Sequence, residues 1–297
     1  MLLAPNWFVE EYRSNVRHLF QSKGFKLKST VTPEGSITGK TVKWPYFGTF
    51  EMQEKTRGGE TPPANPEQNM LSADLKDYDA LYEIFEQDLT KMTANERAAA
   101  HQAGGMAVGR RSDSIIMNAA NDAVVAAGNK TFGDGTGAFT LEVAMTASEA
   151  LADDDQIDWD GNVTAVIPWR WFNNLMLYKQ FNNAEWVGAA GLGFPTGTVG
   201  KRWNNVSWIP FQKKELLIPA SNQAYGFIYH RAALGYATNY EGKVTMAWDN
   251  RKACWTTRFD LQAVAMALYP GASGIRRLHY ATNTAITRPA EPTTTVA

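Results

Sequence analysis

The side chains best placed by type and spacing to do chemistry are carboxylates. "ADDDQIDWDG" gathers Asp153, Asp154, Asp155, Asp158 and Asp160 within eight positions, with Glu142 shortly before. Two such groups facing each other across a cleft could act as the acid and base of a glycosidase, and the ten Trp residues would suit a sugar cleft. These acids crowd one turn instead, so a solvated acidic loop is the plainer reading. A calcium loop of the EF-hand kind needs a set register and a closing Glu, and both are missing. His18, His101, His230 and His279 show no ligand spacing. "GSITGKT" has three residues between Gly35 and Gly39, where a phosphate loop needs four. "GAAGLGFPTG" follows no clear strand and reads as a flexible loop. No G-x-S-x-G elbow occurs. The single cysteine, Cys254, lies in an aromatic, strand-like stretch and reads as core; it permits neither an intrachain disulfide nor a cysteine metal cluster. We therefore expect no catalytic residue, no metal and no cofactor.

The chain has 297 residues, 44% apolar and 20% charged, with a formal net charge of −1. That is enough for one large domain or two smaller ones. The balance argues against a general nucleic-acid or membrane-surface binder. No run of about 18 apolar residues predicts a membrane span, and "MLLAPNWFVEEYRSN" has no secretion-signal pattern. Such a chain fits synthesis in reducing cytoplasm. The aromatic content of 12% suits either an aromatic core or large protein–protein contacts, where Trp and Tyr are enriched.

The elements follow from periodicity. Residues 6–24 read as an amphipathic helix through Phe8, Tyr12, Val16, Leu19 and Phe20, a mildly basic arm whose apolar stripe must dock elsewhere. Val42, Trp44, Tyr46, Gly48, Phe50 and Met52 alternate with Lys43, Pro45, Phe47, Thr49, Glu51 and Gln53, a strand with period two that is mostly apolar on one side. Pro45 confines it to an edge or to one arm of a hairpin. Arg57 to Asn69 is polar and rich in Gly and Pro, the tip of a long excursion. "DLKDYDALYEIFEQDLT", residues 74–90, reads as a helix. Thr93 and Glu96 form a capping box for "TANERAAAHQAGGMAVGRRSDSIIMNAANDAVVAAG". This is either one rod of roughly 50 Å or two helices kinked at Gly104-Gly105, since each Gly costs roughly 1 kcal/mol against Ala. Gly104 and Gly109 would let another backbone lie close to it. Arg110 and Asp113 are spaced as an i, i+3 ion pair. A helix is expected over "TLEVAMTASEALADDDQ", then a buried strand turning into a helix at Pro168. Short strands and turns fill "NNVSWIPF", "YGFIYHRAALGYATN", "KVTMAWDN" and "ACWTTRFDLQAVAMALYP". The tail "TRPAEPTTTVA" is expected to be disordered.

Taken in order, the arm, "GK" leading into a hairpin, "DYDALYEIFEQD", "AVGRRSDSIIMNAA", "VIP", "FNNAEWVG" and "FIYHRAALGYAT" resemble the major capsid proteins of tailed bacteriophages. The resemblance is to the Hong Kong 97-like branch without a fused scaffolding domain, and it covers residues 7 to about 280. It implies an α+β fold with these parts: an N-terminal arm (1–37), an extended loop or E-loop (38–73), a peripheral domain with a spine helix (74–147), an axial domain (148–228), and a return segment (229–286) before the tail (287–297). Tyr78, Ile84 and Asp88 match the helix before the spine. Ala107, Gly109, Arg110, Asp113, Ile116 and Ala119 match the spine.

The implied function is an icosahedral head shell around packaged double-stranded DNA. Its implied partners are copies of itself in hexamers and pentamers, a separate scaffolding protein, a portal at one vertex, a possible decoration protein, and non-specific contact with DNA. The virion is the implied location. Trp44, Tyr46, Phe50, Arg57, Glu60, Gly104, Gly109, Arg110 and Asp113 are the expected assembly contacts. The Lys–Asn crosslink of the founding member does not carry over, because its acidic catalytic residue has no match. A nanocompartment shell of the same fold and an aromatic-cleft glycosidase are the alternatives.

Overall fold

The computed structural model describes residues 22–37, 39–49, 52, 54–55, 57–60, 63, 65–89, 96–154, 157–182, 200–212 and 215–285. The expected arm helix, the capping Thr93, Phe50, most of the Trp-rich stretch after Asn183 and the C-terminal tail lie outside them.

After a short 3-10 turn at Lys28–Thr30 the chain enters strand β1 (Thr32–Ser36), then β2 (Thr41–Phe47) and β3 (Gln68–Asp74), which pair as a two-stranded antiparallel ribbon. Next comes β4 (Lys76–Phe85) and a single turn, α1 (Glu86–Leu89). The expected helix over 74–90 is therefore mostly a strand. Its apolar positions satisfy a helical period, but β4 finds a ten-residue antiparallel partner from Cys254 to Ala263. Tertiary pairing overrides local propensity here.

Helix α2 (Glu96–Ala127) is unbroken over 32 residues, about 48 Å at 1.5 Å per residue. There is no kink at Gly104-Gly105. It leads through β5 (Thr131–Phe132) to α3 (Leu141–Asp154), β6 (Val163–Pro168), α4 (Trp169–Met176) and α5 (Lys179–Asn182). Pro168 ends β6 in extended conformation and stands as the N-cap of α4. Strands β7 (Lys201–Trp203), β8 (Val206–Phe211), β9 (Gln223–His230), β10 (Leu234–Asp249), β11 (Cys254–Ala267) and β12 (Ile275–Ala281) complete the chain.

Two sheets organise these elements. One has the order β1-β10-β11-β4, and α2 runs along it; the other has the order β5-β12-β9-β6-β8-β7. All six residues of β6 are buried. Its neighbours explain this. Val166 packs into the apolar cluster shared with Ile116, Ala120 and Val124 of α2, while Val163, Ala165 and Ile167 pack with Leu151 of α3 and Trp171 of α4 on the other face. A strand covered on both faces reads as a continuous apolar run.

Much of the aromatic content settles in this second cluster. Phe139 stacks on Trp171 at 5.0 Å, and Phe181, Trp203 and Trp208 pack edge to face or tilted nearby. A third, smaller cluster joins Val42 and Trp44 of β2 to Ala237 and Val264, fixing the base of the ribbon to the first sheet.

Candidate assembly surfaces

The expected contact residues fall into two groups. The first gathers where the arm crosses α2. The backbone amide of Phe25 donates to the carbonyl of Gly109 at 3.2 Å. A Cβ on Gly109 would stand 2.4 Å from the carbonyl oxygen of Lys23 and 2.7 Å from the Phe25 ring; a Cβ on Gly24 would stand 2.0 Å from the carbonyl carbon of Gly109. The crossing is thus backbone on backbone. Gly24 also adopts a φ of +74°, which side chains other than glycine seldom tolerate.

Arg110 donates to the carbonyl of Ser22 at 2.9 Å. Asp113 accepts the amide of Leu27 at 3.0 Å and that of Lys26 at 3.2 Å. Burial raises the Asp113 pKa above its ordinary value against the lowering effect of these two amides. Lys26 pairs with Glu215 at 3.1 Å, and Lys28 pairs with Glu241. Glu241 in turn accepts from Ser112 at 2.9 Å and from the Tyr236 hydroxyl at 3.0 Å. Gly109, Arg110 and Asp113 therefore converge on one task, holding residues 22–28 of their own chain. The i, i+3 spacing was visible in the sequence; that both side chains serve a segment more than 80 residues earlier was not. Gly104 serves a different contact, since its Cβ would meet the ring of Phe259 on β11 at 2.3 Å. The close neighbour is a side chain there, not the backbone expected.

The second group lies on the ribbon. Trp44 pairs across with Leu71, Pro45 with Met70 and Tyr46 with Asn69. Trp44 is 6% exposed and packs inward, anchoring the ribbon to its own subunit rather than standing on the exposed face. The alternation was legible, but the apolar face of Val42 and Trp44 is the inner one. The outer face carries Pro45, Phe47 and Met70, with Phe47 62% and Met70 55% exposed. Those residues were missed because exposed apolar side chains leave no periodic signal of their own. Arg57 and Glu60 are exposed beyond the ribbon, Arg57 in a turn with Gly58, and Tyr46 is half-buried, its hydroxyl 3.4 Å from Glu67.

Asp155 lies outside the described residues, and among the described carboxylates no facing pair is formed by Glu142 and Asp153. Glu142 opens α3 and Asp153 lies near its end, roughly 16 Å away along the axis, beyond the separations glycosidases use. Asp160 accepts from the backbone and side-chain amides of Asn162 and pairs with His230 at 3.2 Å; the two Asn162 bonds, then His230, lower its pKa to about 2. It fixes the turn into β6. Cys254 is buried, and burial pushes its thiol up. Among the described residues no group of three or more His, Cys, Asp or Glu could hold a metal, and no helix is long and apolar enough to cross a membrane.

Residues 4–275 match the family model described as "Phage capsid protein". The chain belongs to this phage capsid protein family. No curated protein matches this capsid protein by sequence. Its fold is similar to that of the capsid of Cyanophage P-SCSP1u, with a TM-score of 0.68 at 12% identity over 93% of each chain. The capsid of Ralstonia phage GP4 gives 0.67 at 10% identity, covering 92% of this chain and 95% of the other. A chain of Mycobacterium phage Che8 gives 0.65 at 14% identity, covering 95% and 100%. The capsid protein thus has the Hong Kong 97-like α+β capsid fold. It is a major capsid protein, a structural protein of the virion that associates with itself to form the phage head shell.

Proposed function

We propose that the shell is an icosahedral lattice of hexamers and pentamers in which the ribbon from 38 to 73 is the extended loop that overlaps an adjacent subunit. In this reading α2 is the spine of a peripheral domain, and the sheet containing β6 with α3 and α4 forms the axial domain. The observation that carries it is the ribbon's two-faced character. Its inner face is sealed by Trp44 against the subunit's own sheet, and its outer face holds Phe47 and Met70 in solvent. A monomer gains nothing from exposing two large apolar side chains side by side; a lattice contact buries them. Tyr46, Arg57 and Glu60 then contribute polar contacts around that patch. A subunit in a closed surface touches several neighbours, so modest contacts act together.

The shell encloses packaged double-stranded DNA. It assembles with a separate scaffolding protein, carries a portal at one vertex, and has room for a decoration protein outside. The chain is made in the host cytoplasm and has no enzymatic role. Electron microscopy of the expressed chain, with and without a co-expressed scaffolding protein, tests this. Closed shells of regular size with the scaffold are expected; a protein that stays monomeric at every concentration and with every helper overturns the reading.

A further inference from the structure

Strand β10 carries a row of large apolar side chains beyond the place where β1 leaves it. β1 pairs with β10 only from Gly235 to Thr238, so from Lys243 to Asp249 the outer edge of β10 has no partner strand among the described residues. Val244 lies opposite Phe259, Met246 opposite Thr257 and Trp248 opposite Trp255. Phe259 sits under Gly104 of α2, so by alternation the whole row faces the side on which α2 lies. That face is closed over β11 and the edge strand β4, where Phe259, Thr257 and Ile84 are buried. Over β10 it is open, with Val244 43%, Met246 42% and Trp248 36% exposed.

The arm arrives beside this row. Followed from Lys28 back to Ser22, its anchors move from Glu241 and Asp113 to Gly109 and Arg110, which is towards the N-terminus of α2. They stay on the β10 flank of the helix, since Val108 lies against Gly242 and Ser112 bonds to Glu241. The next residues upstream include the amphipathic stretch Phe8, Tyr12, Val16, Leu19 and Phe20, with Arg13 and Arg17 off the stripe. Fifteen helical residues cover roughly 22 Å. From Gly242 to Trp248, six strand residues cover roughly 20 Å. Length, direction and apolar character match.

We propose that Val244, Met246 and Trp248 form the docking surface for the apolar stripe Phe8, Tyr12, Val16, Leu19 and Phe20 of the same chain. The arm is then a cover as well as a strap. It covers the apolar face of β10 beyond the end of β1 and leaves the outer face of the ribbon open to neighbours.

The test is thiol modification of Met246→Cys in soluble full-length subunits kept below the assembly concentration. Buried Cys254 reports unfolding, and Leu81→Cys, on the opposite face of the same strands, is the exposed control. Adding Val16→Glu and Leu19→Glu to the arm should speed modification at 246 at least tenfold and leave 81 unchanged, whatever the protein concentration. Equal rates at 246 with both arms overturn the proposal. Protection that appears only as concentration rises also overturns it, because the occupant is then a second copy.

Discussion

The arm crossing on α2 and the β2–β3 ribbon are both extended segments that leave the body of the subunit, yet they use their residues in opposite ways. At the crossing most specific features are turned inward, although Phe25 remains 42% exposed. Two glycines bring backbones into contact, a buried carboxylate takes two amides, and two lysines pair with acids on separate elements. On the ribbon only the inner face does this, and the outer face keeps Phe47 and Met70 in water. The difference separates what a subunit needs to hold its own shape from what it needs to hold a neighbour. Damage to the first should appear in the isolated chain; damage to the second should appear only on assembly.

The sharpest test of that division is Phe47→Asp with Met70→Asp. Exposed positions change stability by less than about 0.5 kcal/mol, so the subunit should melt at nearly the wild-type temperature. Shell yield, counted by sedimentation and electron microscopy, should fall at least tenfold. A normal yield would remove the ribbon's outer face from the lattice contacts. Gly109→Leu breaks the comparison from the other side. Its side chain must displace the Lys23 carbonyl and the Phe25 ring, and overpacking of this sort costs about 2–3 kcal/mol. We expect a lower melting temperature in the unassembled subunit and faster tryptic cleavage at Lys23. Asp113→Ala leaves the amides of Lys26 and Leu27 without their acceptor. A buried unsatisfied donor costs about 1–3 kcal/mol, so a loss of about 2 kcal/mol in urea unfolding is expected, with shell yield falling only as far as folded subunit does.

How much of this was legible beforehand depends on the kind of signal. α2, α3 and the β6–Pro168–α4 turn were readable because each buries a periodic or continuous apolar set and ends at a residue with a local reason to end it. β4 was not. Leu75, Tyr78, Leu81, Tyr82 and Phe85 satisfy a helical period, and only the distant partner strand from Cys254 to Ala263 decides for a strand. The contact residues were half legible. Gly109, Arg110 and Asp113 stand out in a helix because a glycine and a charged pair there need a reason, but the reason lies on the arm. On the ribbon the period gave the alternation without its sign: nothing local says that Trp44 faces Ala237 and Val264 while Phe47 faces water.

Gly104 and Gly105 sharpen the same point on a smaller scale, because adjacent glycines should respond with opposite sign. A Cβ on Gly105 meets nothing within 4 Å, whereas one on Gly104 meets the buried Phe259 ring, itself packed edge-on against His101 at 5.8 Å. Gly105→Ala should therefore stabilise the subunit by up to about 1 kcal/mol through helix propensity. Gly104→Ala should cost about 1–2 kcal/mol as the ring is forced aside. Thermal unfolding of the two variants side by side checks this, and equal shifts of one sign would mean that α2 does not bear on β11 as closely as the contact requires.

The smallest effect comes from pH, and its sign follows from burial. The Asp113 pKa is raised in the folded chain above the ordinary 3.8, so folding disfavours its charged form. That cost is fully present above the folded pKa and disappears below the unfolded one. Between the two, the unfolded chain holds fewer protons than the folded one, and stability from this group rises as pH falls. Asp113→Asn cannot titrate and serves as the reference. Unfolding free energies of wild type and variant, compared from pH 7 down to about pH 4, should differ increasingly in favour of wild type as the acid side is approached. A difference that moves the other way would mean that the amides of Lys26 and Leu27 outweigh burial. The arm would then be held by the charge itself and would loosen in acid, which would place the crossing among contacts that conditions can switch.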